Sequence, residues 1–168
     1  MRKFPGSWYL YRLDQVGSYV SRYLEAKRGV YRLVGLAESG KSKPAIIDRI
    51  CGRDVTGTLY IGCEGKNFAV RSRLTKLVRS LREPRHGSVY NAEHAAGLFL
   101  RRNYLLSTRF PKSKLAIAWC YDPNPYIAEG NLLVSYMDSL GESPPLNGPK
   151  AQDWIYPETM SSLPPPEA

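Results

Sequence analysis

A chain of 168 residues with 43% hydrophobic and 23% charged side chains can fill one packed domain and is too short for two. No apolar run reaches the roughly 18 residues that span a bilayer, so no membrane partner is expected, and Met1-Arg2-Lys3-Phe4-Pro5 has no apolar segment behind it to make a secretory signal. A formal net charge of +9 favours a polyanionic partner, because clustered Lys and Arg displace counterions from phosphates.

Three cysteines, Cys51, Cys63 and Cys120, are odd in number and lack CxxC spacing, which points to free thiols in a reducing cytoplasm and away from a zinc site. Residues 1–12 hold Trp8, Tyr9 and Tyr11 among turn formers and predict no element. From Leu13 to Lys27, Val16, Tyr19, Val20, Tyr23 and Leu24 recur at helical spacing, predicting an amphipathic helix weakened at Gly17. That helix either packs on the main domain or forms an arm.

Gly29 to Gly35 is a strand candidate rich in Val, Tyr and Leu. Directly after it, Gly35–Ser42 satisfies the pattern G-x-x-x-x-G-K-[ST], a phosphate cradle with Lys41 as its cation. Such a cradle needs a helix whose amino terminus points at the phosphates. Pro44 is tolerated in a first turn, but Ala45–Ile50 leaves only about two turns before Cys51-Gly52. Leu115–Trp119, with Asp122 beyond it, offers a Walker-B-like strand. Nucleotide binding is therefore one reading of this stretch.

Gly57–Gly62 predicts a second strand, entered through the turn cluster Asp54–Gly57. Gly65-Lys66-Asn67 reads as a loop with Asn67 as a helix cap. The helix that follows runs to about Arg82, with Val70, Leu74, Leu77, Val78 and Leu81 as its apolar stripe. Arg71, Arg73, Lys76, Arg79 and Arg82 charge it, with no acid before Glu83. A merely solvated face would mix signs, so this one is read as phosphate-facing. Pro84 breaks the helix, and Arg85-His86-Gly87-Ser88 reads as a loop. Asn91 to Arg102 predicts another helix, which contains His94.

Lys114 to Tyr121 is the third strand candidate, broken at Asp122-Pro-Asn-Pro125. Tyr126 to Leu140 predicts a helix with Ile127, Leu132, Leu133, Tyr136, Met137 and Leu140 inward, closed by Gly141. No internal repeat is present. The organisation is an amino-terminal extension over 1–28, one domain over 29–147, and a Pro-rich tail over 148–168. The elements predict a mixed α/β (α+β) domain with a small, mostly antiparallel three-stranded sheet flanked by helices.

Gly29-Val30-Tyr31 answered by Tyr60-Ile61-Gly62 resembles the strand pair of the GIY-YIG nuclease family, and three later positions extend the resemblance. Arg73 sits on the helix after the second strand as Φ-x-x-Arg-Φ-x-x-x-Φ, with Val70, Leu74 and Val78 as the apolar places. Arg71 lies nearer the usual distance from Tyr60, but two of its flanks, Ser72 and Lys76, are polar. Glu129 opens a late helix four residues before Leu133, and Pro144-Pro145-Leu146-Asn147 supplies the asparagine that follows it. There are departures. Cys63 stands where the family often has a lysine, a place Lys66 could fill; Leu77 stands where it often has Tyr or His, a role open to His94 or His86. The segment Leu36–Gly57 is an insertion.

The resemblance implies a divalent-metal-dependent endonuclease acting on DNA. In that scheme Tyr31 accepts the proton from water and Tyr60 positions the water or the phosphate. Arg73 offers a fork of donors to phosphate oxygens. Glu129 is the one carboxylate for Mg²⁺ (or Mn²⁺), a hard ion content with few protein ligands. Asn147 ties the final turn to the core, and Lys66, Arg71, Lys76 and Arg79 face the nucleic acid. Taken singly, each residue has a plainer reading: core tyrosines, a surface arginine, a helix-start acid complementing the dipole, a turn asparagine and a structural histidine. The rival readings of the whole chain are a P-loop nucleotide-binding protein and a non-catalytic nucleic-acid-binding module.

Overall fold

Runs of β-branched and aromatic residues make the strands, and stripes of Leu and Val at helical spacing make the layers that cover them. The computed structural model describes residues 2–4, 8–16, 24–64, 69–81 and 94–148. Its strands are β1 (Arg2–Phe4), β2 (Trp8–Arg12), β3 (Gly29–Gly35), β4 (Ile47–Arg49), β5 (Gly52–Asp54), β6 (Thr58–Cys63) and β7 (Leu115–Tyr121). Its helices are α1 (Leu13–Val16), α2 (Val70–Ser80), α3 (Ala95–Arg102), α4 (Tyr104–Arg109) and α5 (Pro125–Leu140), with a 3-10 turn at Lys112–Lys114.

The mixed α/β class and antiparallel sheet agree with the sequence, and the three predicted strands are β3, β6 and β7. The sheet nevertheless has five strands, ordered β1-β2-β7-β3-β6, each antiparallel to its neighbour. The extra pair comes from the first twelve residues. Trp8–Arg12 pairs with the side of β7 away from β3, and Tyr9 and Tyr11 stack on Trp119 at centroid distances of 5.5 and 5.4 Å. Of the helix expected over Leu13–Lys27, the first turn is α1; Leu24–Arg28 are bends and irregular chain, and 17–23 lie outside the described residues.

Strand pairing decides what shares a face. Tyr31 opposes Gly62 and Leu33 opposes Tyr60, so Tyr31, Leu33, Tyr60 and Gly62 project from one side. That side packs on Leu74, Leu77, Val78, Ala96, Leu100 and Phe110. From the other side Ile61 packs on Leu133, Tyr136 and Leu140 of α5. Ile127, expected inward, is 65% exposed. Six residues separate it from Leu133, which turns it roughly 240° away from the buried stripe. Gly141 closes α5 in the left-handed conformation at φ 75°, as its position suggested.

The inserted segment corrects the P-loop expectation. No helix follows Gly40-Lys41-Ser42: Leu36 bridges to Pro44, and Ile47–Arg49 pairs with Gly52–Asp54 as a hairpin. The Walker-B-like strand runs antiparallel to β3, and its Asp122 lies beyond the pairing of Gly29 with Tyr121, at the opposite end from Gly35. The phosphate cradle therefore has neither its helix nor its acid.

β3 and β7 approach so closely at Gly29 that a Cβ there would stand 2.3 Å from the Cys120 carbonyl oxygen. Because the obstacle is backbone, Gly29→Ala should destabilise the fold by about 1–3 kcal/mol, read as a lowered thermal midpoint. An unchanged midpoint would contradict this packing.

Candidate functional site

Tyr31 is wholly buried, so its hydroxyl must find partners inside the protein. His94 Nε2 is 2.6 Å from it. His94 is the N-cap of α3, and its Nδ1 accepts the Ala96 N–H at 3.2 Å. An accepting Nδ1 assigns the proton of the neutral ring to Nε2, which donates to the Tyr31 oxygen. Burial, then the nearby cations Arg73 and Lys76, push the His94 pKa down to about 3. The histidine is thus a fixed neutral donor.

Tyr60 completes the aromatic group: its ring centroid is 6.0 Å from that of Tyr31 and 5.4 Å, edge-on, from that of His94. Gly62 makes room for them. A Cβ at Gly62 would meet a Tyr60 ring carbon at 2.5 Å and the Tyr31 hydroxyl oxygen at 2.9 Å. Burial raises the pKa of both phenols, that of Tyr31 well above the ordinary value.

Arg73 turns inward from α2 towards Tyr31, with which it interacts electrostatically. Burial works against its charge, but Tyr31, Tyr60 and Cys63 outweigh it and raise the arginine's pKa. Its Nε is buried without a hydrogen-bond partner. Arg71, two residues earlier, is exposed, so the geometry brings Arg73 and not Arg71 to the phenols. The apolar stripe of α2 dictates this choice.

Glu129 comes from α5, on the other face of the sheet, and reaches the tyrosines because β6 is the edge strand. Burial raises its pKa; the neighbouring Cys63 and the charge of Arg73 partly counter that. The Glu129 charge is felt at Tyr31 and Tyr60. Tyr31, Tyr60, Arg73, Glu129 and His94 are therefore assembled in one place. Asn147 is not among them. Its Oδ1 accepts the Ile61 N–H at 2.9 Å and its Nδ2 donates to the Ile61 carbonyl at 2.8 Å, so it ties the final turn to β6, as read from the sequence.

Of the proposed nucleic-acid contacts, Arg71 and Arg79 are exposed on α2 and Lys76 is half-buried towards His94. Lys66 and the alternative His86 lie outside the described residues. Sequence reasoning missed Glu64. It is 2% exposed, with Oε1 accepting from Arg28 Nε at 3.3 Å and Oε2 left without a partner. A glutamate one residue past a strand carries no signal of such burial. Cys63, which stands where the resemblance expects a lysine, donates its thiol to the Glu64 carbonyl at 3.3 Å and interacts electrostatically with Glu129.

Among the described residues, no group of three or more His, Cys, Asp or Glu could hold a metal ion, and no helix is long and apolar enough to cross a membrane. No family model, curated protein or solved structure matches the chain.

The buried histidine makes stability pH-dependent. Its folded pKa lies below the unfolded value of 6.5, so between those values the unfolded chain binds the extra proton. Stability is unaffected above pH 6.5 and should fall as pH drops towards about 3, by up to about 1.4 kcal/mol per pH unit. His94→Asn keeps an N-cap acceptor and removes the titrating group facing Tyr31, Tyr60, Arg73 and Lys76. Denaturant titrations at pH 7, 6 and 5 should show a shallower decline in the variant; parallel declines would contradict the assignment.

Proposed function

We propose that the chain is a GIY-YIG-type endonuclease that hydrolyses DNA phosphodiester bonds. One observation carries the reading: two phenols from adjacent strands, one inward guanidinium and one carboxylate from a distant helix meet beside β6. Residues remote in the chain rarely collect charge at a cost unless the site uses it, and here burial opposes Arg73 and Glu129 alike.

In this reading a water oxygen bonds to phosphorus as the phosphorus–ester oxygen bond breaks. The Tyr31 phenol first releases its own proton to solvent, against the burial that raises its pKa. The phenolate oxygen then takes the water proton, and the departing oxygen takes a proton from solvent. A phenol is a weak base at neutral pH. Arg73 favours its anionic form, as does the His94 Nε2–H, which holds the ring in place. Tyr60 stands beside it to orient the water or the phosphate. Arg73, with its unpartnered Nε, has donor capacity left for phosphate oxygens.

A lone carboxylate suits a hard ion such as Mg²⁺ or Mn²⁺, which keeps most of its waters. The fit is also electrostatic: burial makes the bare Glu129 anion costly, and an opposing cation relieves that cost. When bound, such an ion would supply positive charge against the departing oxygen.

Supercoiled plasmid with Mg²⁺ should be nicked or linearised by the wild-type protein. Tyr31→Phe and Glu129→Gln should each lower the rate by at least about 10²-fold with the far-UV spectrum kept, the phenylalanine variant losing about 1–3 kcal/mol of stability from the orphaned His94 N–H. Lys41→Ala should still cut at saturating DNA, unlike the two site variants. Full activity in both site variants would remove the nuclease reading, and duplex binding without any cutting would assign the chain to the non-catalytic nucleic-acid-binding class.

A further inference from the structure

The P-loop-like stretch has no cradle, yet it does not dissolve into an ordinary loop. The Leu36–Pro44 bridge and the Ala37 N–H to Lys43 carbonyl bond at 3.0 Å close it into a short hairpin-like turn, with Gly40 at its tip in the left-handed region at φ 81°. Ser39 Oγ is 3.0 Å from Ser113 Oγ, and the Leu36 N–H donates to the Lys114 carbonyl at 2.8 Å. These bonds dock the turn on the 3-10 segment Lys112–Lys114. Arg12 also donates to the Gly40 carbonyl while paired with Asp14.

The result is a concentration of cations. Lys41 and Lys43 come from the turn, Lys112 and Lys114 from the docked segment, and Arg109 from the end of α4. Arg109 and Lys114 line a cleft of about 270 Å³ floored by Leu36, Ala45 and Phe110. The local acid is Glu38, bonded to Lys41 at 2.7 Å and felt by Lys43 and Lys114. Among the described residues Asp14 is paired with Arg12, and Glu38, held below its usual range first by its hydrogen bond to Lys41, leaves most of the lysine charge uncompensated. Lys41, Lys43, Lys112 and Arg109 are exposed.

The place matters as much as the charge. Five residues of extended β3 separate Tyr31 from Leu36, roughly 16 Å. One strand of a duplex presents a phosphate about every 3.4 Å. The helices α2 and α3 cover the phenol face, so a duplex would meet the lysines at the end of β3 and not on the sheet face itself. That meeting point lies about five base pairs along its strand from the phenol site. Phe110, in the floor of the cleft, belongs to the same apolar cluster as Tyr31.

We propose that Lys41, Lys43, Lys112 and Lys114 form a second nucleic-acid contact, a surface that grips the duplex phosphate backbone away from the reacting bond. It rests on the reading that the phenol site works on nucleic acid. The surface carries no base-reading arrangement of side chains, so it adds affinity and register without sequence preference.

The test measures binding of a labelled duplex of about 30 base pairs in EDTA, across 50 to 200 mM salt. Each phosphate that the protein no longer neutralises should lower the slope of log affinity against log salt by about 0.9. The variant with all four lysines changed to Ala should therefore lose roughly 3 to 4 from that slope and bind at least about tenfold more weakly at 150 mM. If that variant melts early, Lys41→Glu with Lys43→Glu, confined to the exposed turn, replaces it and should lose about 2 from the slope. An unchanged slope overturns the proposal, and so does a wild-type protein that binds no duplex. ATP or GTP binding that disappears in Lys41→Ala, with the duplex slope intact, would overturn it in favour of a free nucleotide. With Mg²⁺ both proteins are also assayed on plasmid, where the four-lysine variant should cut more slowly below saturating DNA. If neither protein cuts but the slope still falls, the surface stands and the nuclease reading alone fails.

Discussion

A phenol sealed from water cannot be left without hydrogen bonds, and the Tyr31 hydroxyl is sealed. An orphaned buried hydroxyl costs about 1–3 kcal/mol, so the surrounding elements must supply partners. His94 does so at 2.6 Å and in the same act caps α3 through its other ring nitrogen. One side chain thus couples the start of a helix to the middle of β3. The Tyr31 ring also sets the requirement at Gly62, where a Cβ would collide with the hydroxyl and with the Tyr60 ring. Strand residue, cap residue and glycine are one constraint seen from three elements.

The remaining charged groups reach this point through the geometry of an edge. β6 is the edge strand of the sheet, so Glu129 of α5 can come round from the opposite face to interact with Cys63. An open edge is also a template for pairing with another chain. Asn147 blunts it by satisfying both backbone groups of Ile61 with one side-chain amide. That amide therefore serves the site at a distance, by keeping β6 where Glu129 and Tyr60 can meet.

The insertion between β3 and β6 is anchored as firmly as the site. The buried Asp54 carboxylate accepts bonds from the Thr56 N–H at 2.7 Å, the Thr56 hydroxyl at 2.6 Å, the Thr58 N–H at 2.9 Å and the Tyr136 hydroxyl at 2.9 Å. Four donors offset the cost of burying that charge. They also hold the β4–β5 hairpin against α5, so the turn that begins the insertion starts from a rigid base. The sheet thus has two chemically distinct ends, one lined by phenols and a carboxylate, the other by lysines.

Local pattern was enough to nominate β3, β6 and β7, the stripe of α2, the extent of α5 and its glycine stop, because each buries a continuous apolar run of its own. It also put Tyr31, Tyr60, Arg73, Glu129 and Asn147 in the right order, and it foresaw the tie made by Asn147. It could not show β1 and β2, whose aromatics gain their meaning only by stacking on Trp119, nor the hairpin at Ile47–Asp54, whose three-residue strands are too short to have a period. The P-loop match was a true pattern in the wrong setting, since an antiparallel sheet offers no helix to aim at a phosphate. Arg73 was already preferred to Arg71 from its apolar flanks, but the partnership of His94 with Tyr31 and the burial of Glu64 were decided by tertiary packing. Each depends on which face meets another element, and residue spacing carries no record of that until the sheet has closed around it.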